Sequence, residues 1–300
     1  MRRLCAVVLL LASCRPDFAE RESRVDRTQV LAVRLDPPEA KPGDLVTATL
    51  LVASPEGTAQ VPASWAFCAT PRLLTENGAV SAACLANGVL PVGDALGPIT
   101  APLPAKACFD FGPEIQSAEQ RPRDPDVTGG YFAPLRARVS LAGAAVVTAF
   151  GFPRIECNLV NASSDAAALF AMTYVPNHNP SLAPLEARLA GGEPISLDAV
   201  PRGAAILLRA SWSAKDAESY AFFDVGQQRI VTRRESMRVS WFATAGDFDK
   251  DRTGRTETEQ ETTTDNTWTA PDEASVTHIW LVLRDARGGI AFNDQTITTR

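Results

Sequence analysis

The sequence predicts an all-β protein built as two β-sandwich domains in tandem, and three observations carry that prediction. Several short stretches alternate apolar and polar side chains with period two, the pattern of a strand with one face on a core. Turn formers are dense, with 22 prolines and 19 glycines in 300 residues. No stretch sustains the amphipathic spacing of a stable helix of about three turns, and many short strands between Gly/Pro turns pack as sandwiches.

The chain opens on MRRLCAVVLLLASC, Met1 to Cys14. Arg2 and Arg3 give a positive start, Leu4 to Leu11 an apolar run, and Leu11-Ala12-Ser13-Cys14 a small-residue ending, the layout of a secretory signal. The run is far short of the roughly 20 residues that a membrane-spanning helix needs. Its ending resembles the bacterial lipobox. That resemblance implies a signal peptide over residues 1–13, a lipidated Cys14, attachment to a membrane through that lipid, and residence in the cell envelope. Arg15 follows the cysteine where enteric inner-membrane lipoproteins carry aspartate, which points to the outer membrane. Residues 15–28, RPDFAERESRVDRT, hold four basic and four acidic side chains and almost nothing apolar. A segment of that kind cannot bury enough surface to order itself, so 14–28 is expected to be a charged tether.

The first domain is expected over 29–176. Val46, Ala48, Leu50 and Val52 alternate with Thr47, Thr49 and Leu51, after a turn at Lys41-Pro42-Gly43-Asp44. Ser64-Trp65-Ala66-Phe67-Cys68 is a second short strand. From Cys84 to Gly130 prolines 91, 98, 102, 104, 113, 122 and 125 predict an extended loop insertion without regular elements. Strands are expected again at Tyr131–Val139, Ala144–Phe152 and Arg154–Val160. A short helix over Ser163–Tyr174 is expected, capped by Ser163 or Ser164. Asn177-His178-Asn179-Pro180 marks a break.

The second domain is expected over 177–300. Ile206, Leu208, Ala210 and Trp212 alternate with polar neighbours, as do Val239, Trp241 and Ala243 on a later stretch. His278–Arg284, HIWLVLR, is apolar on both faces and so central in its sheet. Asp285-Ala286-Arg287-Gly288-Gly289 reads as a hairpin turn, with Ile290–Thr299 the returning edge strand and a possible docking edge for a protein partner.

Ser240 to Gly246, Trp268-Thr269-Ala270-Pro271, and Trp280 to Asp285 followed by Gly288-Gly289 resemble the immunoglobulin-like modules of bacterial surface proteins, the polycystic-kidney-disease type in particular. The resemblance implies a tryptophan between two sheets and a strand–Asp–Gly–Gly–strand hairpin closing the fold. Ser213–Arg238 is longer than such a module needs. Pro37 to Val52 and Trp65 resemble an Ig-like fold more loosely. The whole layout resembles two-domain envelope lipoproteins of GC-rich Gram-negative bacteria, in keeping with only four lysines (Lys41, Lys106, Lys215, Lys250) among 29 basic residues. That family supplies no catalytic residues.

The formal charge of −6 without basic clusters speaks against nucleic acid as a partner. Cys5 leaves with the signal. Cys68, Cys84, Cys108 and Cys157 remain, an even set that favours two disulfides in an oxidising compartment. Of three connectivities, closeness in sequence favours Cys68–Cys84 with Cys108–Cys157. Asp247, Asp249 and Asp251, with Glu257 beyond, place carboxylates where a calcium loop would want them, although Arg252 and Thr258 stand where an EF-hand has Gly and Glu. No other cofactor is suggested. His178 and His278 are the only histidines, and no nucleophile elbow, zincin or phosphate-loop pattern occurs, so no enzyme is expected. Two other readings remain. A carbohydrate-binding module would present Trp268 for sugar stacking. A carboxylate hydrolase would draw on Asp216, Glu218 and Asp224. The expectation is a lipid-anchored, non-catalytic binding or scaffolding protein.

Overall fold

The computed structural model describes residues 22–73, 75–115, 121–141, 146–189 and 191–300. It is an all-β structure of two sandwiches in tandem. The first holds β1 (Gln29–Asp36), β2 (Glu39–Ala40), β3 (Leu45–Ser54), β4 (Gly57–Ala59), β5 (Pro62–Cys68), β6 (Val89–Leu96), β7 (Ile99–Pro102), β8 (Leu135–Val139), β9 (Val147–Gly151) and β10 (Arg154–Ile155). Short helices α1 (Ala82–Leu85) and α2 (Ala107–Asp110) sit in its connections. One sheet runs β1-β3-β4 with β7 also on β3; the other runs β6-β5-β8-β9. Val33, Leu35, Val46, Ala48 and Val52 from the first sheet meet Trp65, Phe67, Leu135, Ala137 and Val139 from the second in one core. The alternation in β3 therefore does what its sequence predicted: even-numbered residues face that core.

The proline-rich stretch departs from expectation. Instead of a structureless insertion, 84–130 contributes strands β6 and β7 to the two sheets. Proline is tolerated there because β6 is an edge strand, and Pro91 sits where the pairing with β5 slips between Trp65 and Ala66. Gly93, at φ 146°, supplies the backbone conformation at the same irregularity. The expected strands after Tyr131 are present but shorter. The start proposed at Ala144 lies outside the described residues.

Helix α3 (Ser164–Thr173) closes the first domain. Ser163 is its N-cap, its hydroxyl accepting from the Ala166 amide at 3.2 Å, as the Ser-Ser-Asp-Ala sequence predicts.

The second sandwich holds β11 (Glu186–Leu189), β12 (Ala205–Ser211), β13 (Ser219–Asp224), β14 (Arg229–Arg234), β15 (Met237–Ala243), β16 (Asp247–Phe248), β17 (Arg252–Arg255), β18 (Thr263–Thr269), β19 (Ser275–Asp285) and β20 (Ile290–Thr299). Its sheets are β11-β12-β18-β16 and β17-β15-β19-β20. Ile206, Leu208, Trp241, Trp268, Ile279, Leu281 and Leu283 fill the space between them. The extra length of 213–238 is a separate hairpin, β13 with β14, lying outside both sheets.

Strand β19 is apolar on both faces for a reason that its central place alone does not give. Its odd residues fill the domain's own core. Trp280 and Val282 point the other way, into a third apolar cluster with Leu31, Ala32, Leu51 and Ala53 of the first domain. Trp280 Nε1 donates to Thr58 Oγ1 at 2.8 Å, and the Thr58 hydroxyl donates to Asp294 at 2.9 Å. The two sandwiches share a packed interface.

Residues 22–25, within the stretch expected to be a charged tether, are docked. The Val25 amide donates to the Ala243 carbonyl at 2.9 Å, and the Ala243 amide to Ser23 at 2.8 Å, a short parallel pairing with the end of β15. Val25 is wholly buried in the third cluster, and Glu22 pairs with Arg252 at 2.6 Å. One valine among charges is enough when a preformed interface receives it.

Both disulfides, Cys68–Cys84 and Cys108–Cys157, lie in the first domain and span 16 and 49 residues. Loop-closure entropy assigns them about 3 and about 4 kcal/mol. Replacing Cys108 and Cys157 together by serine should lower stability by more than the Cys68/Cys84 double replacement, measured by denaturant unfolding of the full chain.

Candidate functional site at the joint

The polar centre of the molecule is a buried ion network where the two sandwiches and their linker meet. Arg287, in the turn between β19 and β20, has no exposure at all. A guanidinium cannot be left in such a place without acceptors on its donors. Its Nε donates to Glu235 at 2.6 Å, its Nη2 to Glu218, and its Nη1 to the Val175 carbonyl at 2.8 Å. Glu39 lies 3.7 Å from Nη1, and the rings of Tyr220 and Tyr174 flank the group. Glu218 and Glu235 precede and follow the β13–β14 hairpin. The length that seemed superfluous for a sandwich thus delivers two carboxylates to the joint.

The first domain brings its own cation. Arg154 of β10 is nearly buried; it donates to Glu39 at 3.2 Å and to Thr128 Oγ1 at 2.6 Å, with Asp126 at 4.0 Å. Gly130 is required beside it, because a Cβ there would collide with the Arg154 guanidinium. Tyr174, the residue that ends α3, joins the two cations. Its hydroxyl donates to Glu39 at 2.6 Å and accepts from Arg154 Nε at 3.2 Å and from Arg287 Nη1 at 3.5 Å. Burial pushes that hydroxyl up to about 12, with Arg154 opposing and Glu39 assisting, so it stays protonated as a donor.

The linker is woven into the same network. The Asn177 amide donates to Glu39 at 2.7 Å, and its side chain to Asp285 at 3.2 Å. His178 Nδ1 meets Glu218 at 3.0 Å. Asn179 donates to the Leu35 carbonyl at 2.7 Å and accepts from the Ile290 amide at 2.9 Å. The Asn/Pro break is thus hydrogen-bonded to both sandwiches.

The sequence-predicted sites fare differently. Cys14 lies outside the described residues. Among the described residues, those of 247–257 included, no group of three His, Cys, Asp or Glu side chains is placed to hold a metal. The cause is local pairing. Asp247 is in β16 against Thr269, the Asp249 amide donates to Thr267, the Asp251 carbonyl accepts from Trp241, and Arg252 begins β17. The carboxylates are strung along paired backbone instead of curling around a centre, and Glu257 is exposed beyond them.

Trp268 is fully buried, its Nε1 donating to the Ala245 carbonyl at 3.1 Å, so it offers no sugar platform. Trp65, Trp212, Trp241 and Trp280 are buried as well. The candidate hydrolase carboxylates have structural employment: Glu218 on Arg287 and His178, Asp216 accepting from Ser181 at 2.6 Å, and Asp224 accepting from the Gln227 amide at 3.0 Å. The edge at Ile290–Thr299 is partly covered, since the Val200 amide donates to Thr298 and the Thr298 amide to Leu197.

Sequence reasoning missed Glu39, Arg154, Glu235 and Arg287. Arg287 looks like any turn arginine beside Gly288-Gly289. The one available hint was the unexplained length of 213–238.

The chain is an all-β tandem-sandwich protein whose domains are locked by a buried ionic joint. No family model matches it, and no curated protein does. Solved structures similar to it include the Yersinia pseudotuberculosis adhesin InvE, at 12% identity over 91% of this chain with a TM-score of 0.25. The fibronectin(III)-like modules of Clostridium thermocellum CbhA are similar at 11% over 89%, with a TM-score of 0.23. The chain spans 58% of the adhesin and 93% of the CbhA modules. At these scores the likeness carries no argument about what the chain does.

Removing Arg287 leaves Glu235 and Glu218 without their cation in a buried site. Arg287→Met should therefore cost about 3–5 kcal/mol in denaturant unfolding. Arg287→Lys should recover only part of that, because an ammonium cannot fork between the two carboxylates.

Proposed function

We propose that the chain is a lipid-anchored cell-envelope protein, held at Cys14, that binds or scaffolds a partner and does not catalyse. The observation that carries the non-catalytic reading is the occupation of its buried ionisable groups. Glu39, Glu218, Glu235, Asp285, Arg154, Arg287 and the half of the linker bearing Asn177 and His178 are all engaged in holding the domains together.

The placement rests on two further features. The sequence Leu11-Ala12-Ser13-Cys14 after a short apolar run supports lipid attachment, since two or three acyl chains anchor stably where one is marginal. Two disulfides in one domain are at home in an oxidising envelope space. Surface attachment then raises local concentration, so a partner need not be bound tightly. Fused sandwiches suit that task, because a joint closed by apolar packing and ion pairs keeps any bound partner at a fixed orientation to the anchor.

The test is Cys14→Ser in the full-length chain. It should abolish incorporation of labelled fatty acid and move the protein from the membrane fraction to the soluble envelope fraction. Retention of the label or of membrane fractionation would overturn the anchoring.

A further inference from the structure

We propose that the joint is closed by a proton that Asp285 holds in company with Glu235, so that alkaline conditions uncouple the two sandwiches. The first support is charge balance. Four carboxyls, Glu39, Glu218, Glu235 and Asp285, gather around two guanidiniums, Arg154 and Arg287, in a place nearly closed to water. The other charged and titratable groups that face the pair are Asp126, which adds to the surplus, Tyr174 and Tyr220, which stay neutral, and His178, which meets Glu218 from outside. An unbalanced carboxylate in such surroundings takes up a proton in preference to ionising.

Hydrogen-bond geometry says where that proton sits. Both Glu235 oxygens accept from strong donors, Arg287 Nε at 2.6 Å and the Glu218 amide at 3.0 Å. Asp285 Oδ1 likewise accepts from the amides of Arg287 and Gly289, each at 2.8 Å. Among the described residues Asp285 Oδ2 meets only the Asn177 side-chain amide, at 3.3 Å, which is shared with Oδ1 at 3.2 Å. That same amide is buried, and its Oδ1 has no hydrogen-bond partner among the described residues. An amide turned over would present that oxygen to a protonated Oδ2. Burial raises both carboxyls, Glu235 to about 8 with help from the Asp285 charge, and hydrogen bonds to Asp285 oppose its rise only in part.

The direction of the effect follows from linkage. Above the ordinary carboxylate range the folded joint keeps a proton that the unfolded chain has lost, because burial raises both members of the pair, so stability falls as pH rises. The full chain should unfold in one transition near pH 6 and in two, at lower temperature, near pH 9, as the sandwiches decouple.

Asp285→Asn keeps the Oδ1 acceptor for both turn amides and offers Asn177 a donor in place of the proton. It should unfold in one transition at both pH values, and His178→Gln should behave as the unsubstituted chain does. Should Asp285→Asn not fold, Glu235→Gln removes the same surplus charge from the other side and should also flatten the pH response, at lower stability throughout. A single, pH-independent transition in the unsubstituted chain overturns the proposal, as does splitting that persists in the foldable variant or disappears in His178→Gln.

Discussion

Desolvation of one guanidinium is the constraint on which the rest of the structure depends. Arg287 sits where water cannot reach it, and an isolated charge in such a place costs several kcal/mol even after relaxation. Its acceptors must come from several directions at once. Glu235 and Glu218 come from the ends of a hairpin, Glu39 from the other domain and Val175 from the chain that joins the domains. The hairpin and the joining chain supply its close hydrogen bonds, and the other sandwich adds the Glu39 charge 3.7 Å away. The requirement specifies the arrangement of domains more than it stabilises it, since buried ion pairs often gain little over well-packed apolar groups.

Apolar packing supplies the energy that the ions do not. Strand β19 serves two cores, one through Ile279, Leu281 and Leu283 and the other through Trp280 and Val282. The division of labour is clear. Nondirectional burial draws the sandwiches together, and hydrogen-bonded charges fix which way they face.

Much of the fold was legible in the sequence because period two marks the residues that face a core. Ile206 to Trp212 keeps it cleanly, while Val46 to Val52 and Val239 to Ala243 keep it on the core face although Leu51 and Ser240 are buried on the other. Ser163 announced its helix, and closeness in the chain favoured the cysteine pairs that form. The proline-rich stretch misled because edge strands and bulges accept proline, and whether a strand is an edge depends on partners far away in sequence. At 247–257 the alternating carboxylates suit a paired strand as well as a curled loop, and the residues alone do not choose between them. The joint was illegible for a deeper reason. Its members, Glu39, Arg154, Glu235, Asp285 and Arg287, are scattered along the chain, and each taken singly looks like a surface residue.

The docking of residues 22–25 on β15 sets an order of events for a chain that is synthesised from its N-terminal side. Ser23 to Val25 need the end of β15, and Ala243 emerges more than two hundred positions later. Residues 22–25 must wait for a strand made long after them. Until then a half-made chain exposes Leu31, Ala32, Leu51 and Ala53, the patch that Trp280 will cover. That interval, rather than the finished protein, is when a holding chaperone would find the most to grip.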